Sequence, residues 1–262
     1  MLVALSMVLG AGESWTSTPL PGAMPVAVEH GETKVNGVTL SWSVYGAGDP
    51  VLLLHGGAGN GSHWAFQVPS FANDHRVYVI DARGHGHSTR TDAPASYSQL
   101  ADDVVALMDS WKLERAAIVG WSDGGIVGLD LAIRHPSRVS KLVAYAANAN
   151  QSGLKKGGGA AVDAYFARCA KDFPGDWKAL LTWLRPMWRT QPNFTDAQLA
   201  SISAPTLVLD GAHDELIRED HQRAIARAIP QARLLLLPEA SHFALFQQPA
   251  AFNAAVLEFL RR

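Results

Sequence analysis

Cysteine is almost missing from this chain. Cys169 is the single one in 262 residues, which excludes an internal disulfide and a cysteine-based metal cluster. It reads as a small buried hydrophobe rather than a reactive thiol. Charge of one sign is also lacking: 22 Lys and Arg stand against 24 Asp and Glu, a net charge of −2. Without a basic surplus the chain has no electrostatic footprint for nucleic acid or an anionic membrane as partner. No apolar run is long enough to form an integral membrane segment, no internal repeat is visible, and no feature specifies an oligomeric state. What remains is the composition of an ordinary globular protein, 48% apolar and 18% charged, with enough length to bury a large core.

The first 25 residues differ from the rest. "MLVALSMVLGAGES" has a short apolar core followed by small residues, the layout of the end of an export signal, although no Lys or Arg precedes the core. "SWTSTPLPGAMP" then reads as a Pro/Ser/Thr linker, with the ordered domain starting near Val26. Residues 1–25 are therefore expected to be an N-terminal extension or partial signal peptide plus linker. This favours an exported protein, periplasmic or secreted, over a cytoplasmic one. The alternative is an upstream extension with Met24 close to the natural start.

From Val26 onward, strand-like and helix-like segments alternate, which predicts an α/β layer architecture. "VAVEHGETKV" and "VTLSWSVYG" flank Asn36-Gly37, a hairpin signal. Six short, nearly uninterrupted apolar runs follow: "VLLLHGG", "RVYVIDARG", "AAIVGWS", "KLVAYAA", "TLVLDG" and "RLLLLPEA". Such runs belong to parallel strands covered on both faces. Between them lie amphipathic stretches, such as the one placing Leu100, Val104, Leu107, Met108 and Trp111 at helical spacing. One interval breaks the rhythm. Residues 151–192 hold no strand candidate, open on the flexible "GLKKGGGA", and continue as two helix-like pieces rich in Trp177, Trp183, Met187 and Trp188. This is expected to be a helical cap inserted into a core of residues 26–150 and 193–262. Its aromatics serve either as core filling or as the apolar wall of a substrate pocket.

The chemistry concentrates at "AAIVGWSDGGIVGLD". Gly120-Trp121-Ser122-Asp123-Gly124 fits G-x-S-x-G, in which a crowded strand-to-helix turn lifts a serine out of the backbone and tolerates only glycine on its flanks. An activated serine needs a base, a carboxylate to orient that base, and N–H donors for the developing oxyanion. Sites in open parallel sheets form at the carboxyl ends of strands. The base candidate there is His242, in the loop after the last apolar run. The acid candidate is Asp214, past the end of the preceding run, with Asp210 at the strand terminus as its rival; the position after "KLVAYAA" offers only Asn148 and Asn150. The Asp123 N–H opens a helix and is one oxyanion donor. "LHGGAGNGSHW" supplies the second, Gly57 in preference to Ala58. His55 reads as a loop brace. His85 and His87 have H-x-H spacing, but Ser88, Thr89 and Arg90 follow where further metal ligands are needed, so a loop braced by Arg83 and these histidines is preferred. No metal or other cofactor is expected.

"LHGGAGNGSHW", "VIDARGHGHST", "VGWSDGG", "LDGAHDELI" and "PEASHFALFQQP" occur in the order and spacing of the α/β-hydrolase superfamily, which the chain resembles from Val26 to Arg262. The resemblance implies an eight-stranded, mostly parallel sheet with helices on both faces, a small helical cap, and a Ser122–Asp214–His242 triad cleaving small-molecule carboxylic esters. "GWSDGG" with "AANAN" is similar to the carboxylesterase group that includes valacyclovir hydrolase, the biphenyl hydrolase-like enzyme. There the acid next to the nucleophile is thought to receive the substrate's α-amino group, a position matched here by Asp123. The cap here is shorter and Trp-rich, with Trp177, Trp183 and Trp188 as substrate-binding candidates. The same triad and fold also serve lactonases and carbon–carbon bond hydrolases, and the fold serves ligand-sensing receptors with residual hydrolysis.

Because no plausible ligand set accompanies His85 and His87, exhaustive chelation is expected to leave ester hydrolysis unchanged. Loss of turnover restored by a divalent ion would point back to that H-x-H pair.

Overall fold

Asn36 and Gly37 turn the chain with φ of 46° and 77°. Two successive positive values match the twist of flanking strands in a type I′ hairpin. The turn joins β1 (Glu29–Val35) to β2 (Val38–Tyr45) in antiparallel register. The six apolar runs form β3 (Asp49–Leu54), β4 (His75–Ile80), β5 (Ala116–Trp121), β6 (Val139–Tyr145), β7 (Thr206–Gly211) and β8 (Ala232–Leu237). In this computed structural model, which describes residues 14–170 and 174–262, all eight belong to one sheet in the order β1-β2-β4-β3-β5-β6-β7-β8. β2 pairs with β4 antiparallel, and every pairing beyond that is parallel. The mostly parallel eight-stranded sheet agrees with expectation.

Every residue of β5 and β7 is buried, as continuous apolar runs covered on both faces must be. β8 departs from this. Up to Leu236 its residues alternate between half-buried and exposed, with Leu235 at 38% exposure, and only Leu237 is buried, because β8 is the last strand of the sheet and one of its faces stays partly open. An apolar run in sequence does not distinguish an edge strand from a central one.

Helices connect the strands: α1 (Val68–Phe71), α2 (Tyr97–Ser110), α3 (Asp123–Arg134), α4 (Gly159–Cys169), α5 (Trp177–Thr190), α6 (Asp196–Ala200), α7 (Glu219–Ala228), α8 (Ala244–Gln247) and α9 (Pro249–Arg261). The Ser96 hydroxyl caps α2 by accepting from the Gln99 N–H at 3.2 Å, and Leu100, Val104, Leu107 and Met108 form its buried face. Pro136 stands just past the end of α3, opening a 3₁₀ turn. α4 and α5 both lie between β6 and β7. Cys169, at the end of α4, is half-buried rather than fully buried.

The export-signal expectation rests largely on residues 1–13, outside the described residues. The segment after them is seated on the core: Trp15 stacks on His213, with ring centroids 3.9 Å apart and planes 5° from parallel. Gln247 Nε2 donates to the carbonyls of Trp15 and Ser17 at 3.1 and 3.0 Å.

The chain passes from β3 to β4 on one side and then to β5 on the other, so the sheet order reverses between β3 and β5. A crevice opens there at the carboxyl ends of the strands. Its walls are loops held by buried groups. Arg83 grips Asp103 of α2 through two hydrogen bonds of 2.7 Å, and Asn36 Nδ2 donates to the same carboxylate at 3.0 Å. The pair is almost fully buried, so removing one partner would strand the other charge.

Three buried histidines hold the loop after β3. His55 Nε2 accepts from the Ala82 N–H at 3.0 Å while its Nδ1 lies 2.7 Å from the Gly56 carbonyl. His85 Nε2 accepts from the Ala58 N–H at 3.1 Å while its Nδ1 lies 2.9 Å from the Arg83 carbonyl. His63 Nδ1 accepts from the Asn60 N–H at 3.3 Å. A ring nitrogen that accepts from an amide carries no proton, so these rings are neutral. Burial, with a repulsive contribution from His55, lowers His63 and His85 to about 3.

An unfolded chain binds a proton at each such histidine near the ordinary 6.5, whereas the folded chain does not until far lower pH. The folded state therefore loses ground as pH falls below 6.5. Between pH 8 and pH 5, His85 alone is expected to account for about 2 kcal/mol of this loss. His85→Gln keeps an acceptor at the reach of Nε2 and cannot titrate, so urea unfolding of that variant should show a pH dependence shallower by this amount. Parallel curves for the two proteins would rule the brace out.

Candidate active site

β5 ends at Trp121, α3 begins at Asp123, and Ser122 between them has φ 54° and ψ −118°. A non-glycine residue there is strained and persists only where the surroundings enforce it. The Ser122 N–H donates to the Tyr145 carbonyl at 2.8 Å, and its carbonyl accepts from the Ile126 N–H at 3.0 Å, so the backbone is fixed on both sides. The flanking glycines are required by contact: a Cβ on Gly120 would overlap the Gly124 carbonyl, and one on Gly124 would overlap the Leu54 carbonyl at the end of β3. Three segments meet here with no room for a methyl group.

The loops after β7 and β8 bring an acid to a base. His242 Nδ1 lies 2.7 Å from Asp214 Oδ2, both side chains about 2% exposed. The other oxygen, Asp214 Oδ1, accepts from the N–H groups of Leu216 and Ile217 at 2.6 Å each. This carboxylate is held on three sides, and accepting from Nδ1–H leaves Nε2 of the neutral ring free to take a proton. The His242 carbonyl accepts from Trp121 Nε1 at 3.0 Å and from the Tyr145 hydroxyl at 2.8 Å. Residues next to the serine and at the end of β6 thus fix the His242 backbone. Burial would lower the His242 pKa, but the charge and hydrogen bond of Asp214 outweigh it and hold it above 6.5. Burial likewise pushes Asp214 up, and His242, Asp210 and the Ile217 N–H together bring it below the ordinary carboxylate range. Asp210, the rival acid, makes no bond to His242; its Oδ1 accepts from the Gly211 N–H at 2.8 Å.

Gly57, Ser122 and Asp123 line one pocket of about 160 Å³. The Ala58 N–H is already taken by His85. The Asp123 N–H is the first of α3, where backbone donors point outward and the helix dipole favours negative charge. Gly57 must be glycine, since a Cβ there would overlap Asp123 Oδ2 and come within 2.7 Å of the Trp188 indole.

Asp123 stands in the pocket wall with both oxygens engaged: Oδ1 accepts from the Tyr97 hydroxyl at 2.8 Å and Oδ2 from Trp188 Nε1 at 2.7 Å. Burial raises its pKa against the pull of these donors and of His242. Of the three tryptophans expected at the pocket, Trp188 lines it and Trp177 and Trp183 do not. Trp183 sends its Nε1–H to the Ala93 carbonyl at 2.7 Å and lies under Arg90. Trp177 shares the helical face of Trp188 but sits three turns, about 16 Å, away. Tyr97, Asn148, Phe166 and Gln191 line the pocket without having been singled out for it. Tyr97 is the first residue of α2, where an aromatic reads as core, and nothing local signals a partner 26 positions away.

His85 uses both ring nitrogens on backbone groups, and His87 is exposed with its N–H donating to Asp81 at 2.9 Å. Among the described residues, no three His, Cys, Asp or Glu side chains gather as a metal site.

Comparison with known proteins agrees with this architecture. Residues 49–168 match the family described as alpha/beta hydrolase fold. A putative carbamate hydrolase, RutD, of Caulobacter sp. (strain K31) is 32% identical over 251 residues, covering 80% of this chain and 90% of that protein. The serine hydrolase BPHL of Homo sapiens is 28% identical, covering 99% and 97%. Among solved structures, the enol-lactonase from Burkholderia xenovorans LB400 superposes with a TM-score of 0.73 at 26% identity, covering 88% of this chain and all of that one. A sheet of this order, an elbow at the carboxyl end of β5 and these relatives together establish that the chain belongs to the α/β-hydrolase family and is a hydrolase.

Proposed function

We propose that the chain cleaves small carboxylic esters through an acyl-enzyme on Ser122. The observation that carries this reading is the strained, pocket-facing Ser122 at the same end of the sheet as the buried His242–Asp214 pair. His242 Nε2 takes the Ser122 hydroxyl proton as Oγ attacks the ester carbonyl. The resulting oxyanion is bound by the N–H groups of Gly57 and Asp123. His242 returns the proton to the leaving alcohol, then activates water, which releases the acid and regenerates Ser122. Asp214 holds the imidazole in the required tautomer throughout.

The pocket also limits the substrate. Its described lining holds Asp123 and Asp163 and no Lys or Arg. A substrate with a free carboxylate near the scissile bond would find repulsion and no cation, which speaks against acidic lactones and acidic carbon–carbon cleavage substrates. About 160 Å³ suits short acyl groups. Neutral esters, carbamate esters and uncharged lactones all present the same carbonyl to Ser122. Residues 151–192, which contribute Gln151, Val162, Phe166 and Trp188 to the lining, are proposed as the cap of a core formed by residues 26–150 and 193–262.

Ser122→Ala is expected to lower kcat/KM on p-nitrophenyl esters by at least about a thousandfold with an unchanged circular dichroism spectrum. A folded variant of undiminished activity would end the serine-hydrolase reading, as would turnover by the native protein too slow for an enzyme.

Because the Asp123 carboxylate reaches the pocket, an ammonium group on the substrate is the second feature it selects. Asp123→Asn removes the charge and keeps the N–H and the size. The preference in kcat/KM for an α-amino-acid ester over its uncharged analogue is expected to fall about tenfold or more in this variant. An unaltered ratio would leave Asp123 with no part in charge recognition.

A further inference from the structure

Asp210 is a buried acid that the proposed reaction does not use. It lies next to last in β7, 1% exposed, and its carboxyl is in hydrogen-bond contact with that of Asp214. Two carboxylates side by side out of water repel too strongly for both to be ionised, so one keeps a proton. The donors decide which. Asp214 receives three hydrogen bonds, from Leu216 N–H, Ile217 N–H and His242 Nδ1, whereas Asp210 receives two, from the Gly211 N–H and the Gln222 side-chain amide. The charge therefore settles on Asp214.

The neighbours that face Asp210 supply no cation to change this. From β6 comes the hydroxyl of Tyr145, which donates to the His242 carbonyl. From α7 comes Gln222, fully buried, whose Nε2 donates to the Ala147 carbonyl at 2.9 Å. The loops after β7 and β8 contribute Asp214, Glu215 and His242, and Glu215 accepts from the His242 N–H at 3.0 Å. Lys155 reaches the main-chain carbonyl of Asp214, not either carboxyl.

We propose that Asp210 is a positioning residue: a neutral carboxylic acid whose O–H donates to the Asp214 carboxylate and holds it against His242. In agreement, burial and the Asp214 charge push Asp210 well above the ordinary carboxylate range. The O–H draws charge from Asp214 and so keeps His242 less basic than a bare carboxylate would make it. The inference rests on His242 and Asp214 acting as the base and its orienting acid.

The test compares two variants. Asp210→Asn preserves size, neutrality and a donor, and is expected to leave kcat/KM within about twofold of native and the acid limb of its pH profile within about 0.2 pH unit. Asp210→Val removes the donor; its acid limb is expected to move to higher pH by about half a unit or more, with a lower kcat. If the Asn variant instead shifts that limb downward by a similar amount, a negative charge has been removed, Asp210 was ionised, and the proposal is overturned. Limbs that coincide in all three proteins overturn it too. Should the Val variant fail to fold, infrared spectroscopy of the native protein at neutral pH decides: a protonated-carboxyl carbonyl band missing from Asp210→Asn supports the proposal, and no difference between the two contradicts it. That band does not depend on turnover. An active Ser122→Ala would therefore sink the serine reading while leaving the protonation of Asp210 to be judged on its own spectrum.

Discussion

The close meeting of β3, β5 and α3 is the constraint on which the rest of the site depends. Gly124 lies against the Leu54 carbonyl and Gly120 against the Gly124 carbonyl, so the chain can turn from strand to helix only by placing Ser122 at positive φ. That turn delivers the serine, the first N–H of α3 and the Asp123 carboxylate to one pocket from two consecutive positions. The strain is carried at the end of β5, a strand buried along its whole length, and so cannot relax without opening the core.

Around this fixed point the structure gathers polar groups that would be unfavourable anywhere less organised. Arg83 and Asp103 are both almost fully buried, yet their fork of hydrogen bonds ties the loop after β4 to α2 and to the hairpin turn. His55, His63 and His85 are held neutral and hydrogen-bond the loop that carries Gly57. Asp214 and His242 are buried together, and the acid loop is anchored to the base loop through His213 N–H to the Ala240 carbonyl at 2.9 Å. In each case a desolvated group is kept because its geometry is saturated by partners.

A comparison of residues with their surroundings shows how far a linear pattern reaches. Asn36-Gly37 specifies its turn because the required backbone angles are a property of those two residues. The elbow is similarly local, since glycines at fixed offsets from a serine encode a steric condition. Asp214 is preferred to Asp210 for its distance past the strand end, and its Oδ2 lies 2.7 Å from His242 Nδ1. The tryptophans are different. Trp177, Trp183 and Trp188 are alike in composition and all lie on α5, but a rotation of about 140° separates Trp183 from Trp188 on the helix. Only packing against the rest of the chain selects which face meets the pocket.

The sequence by itself determined the alternation that builds the parallel sheet, the order of nucleophile, acid and base candidates, and the turn chemistry at Asn36-Gly37 and Ser122. All of these follow from spacing and backbone sterics within a few residues. Tertiary structure alone decided that β8 keeps an open face, that Tyr97 and Trp188 clamp Asp123, that Trp183 turns away to Ala93, and that Asp210 comes to lie against Asp214. Each of those outcomes depends on which distant segments exclude water from a side chain and which donor they bring within reach, and neither is written in the residue's own neighbourhood.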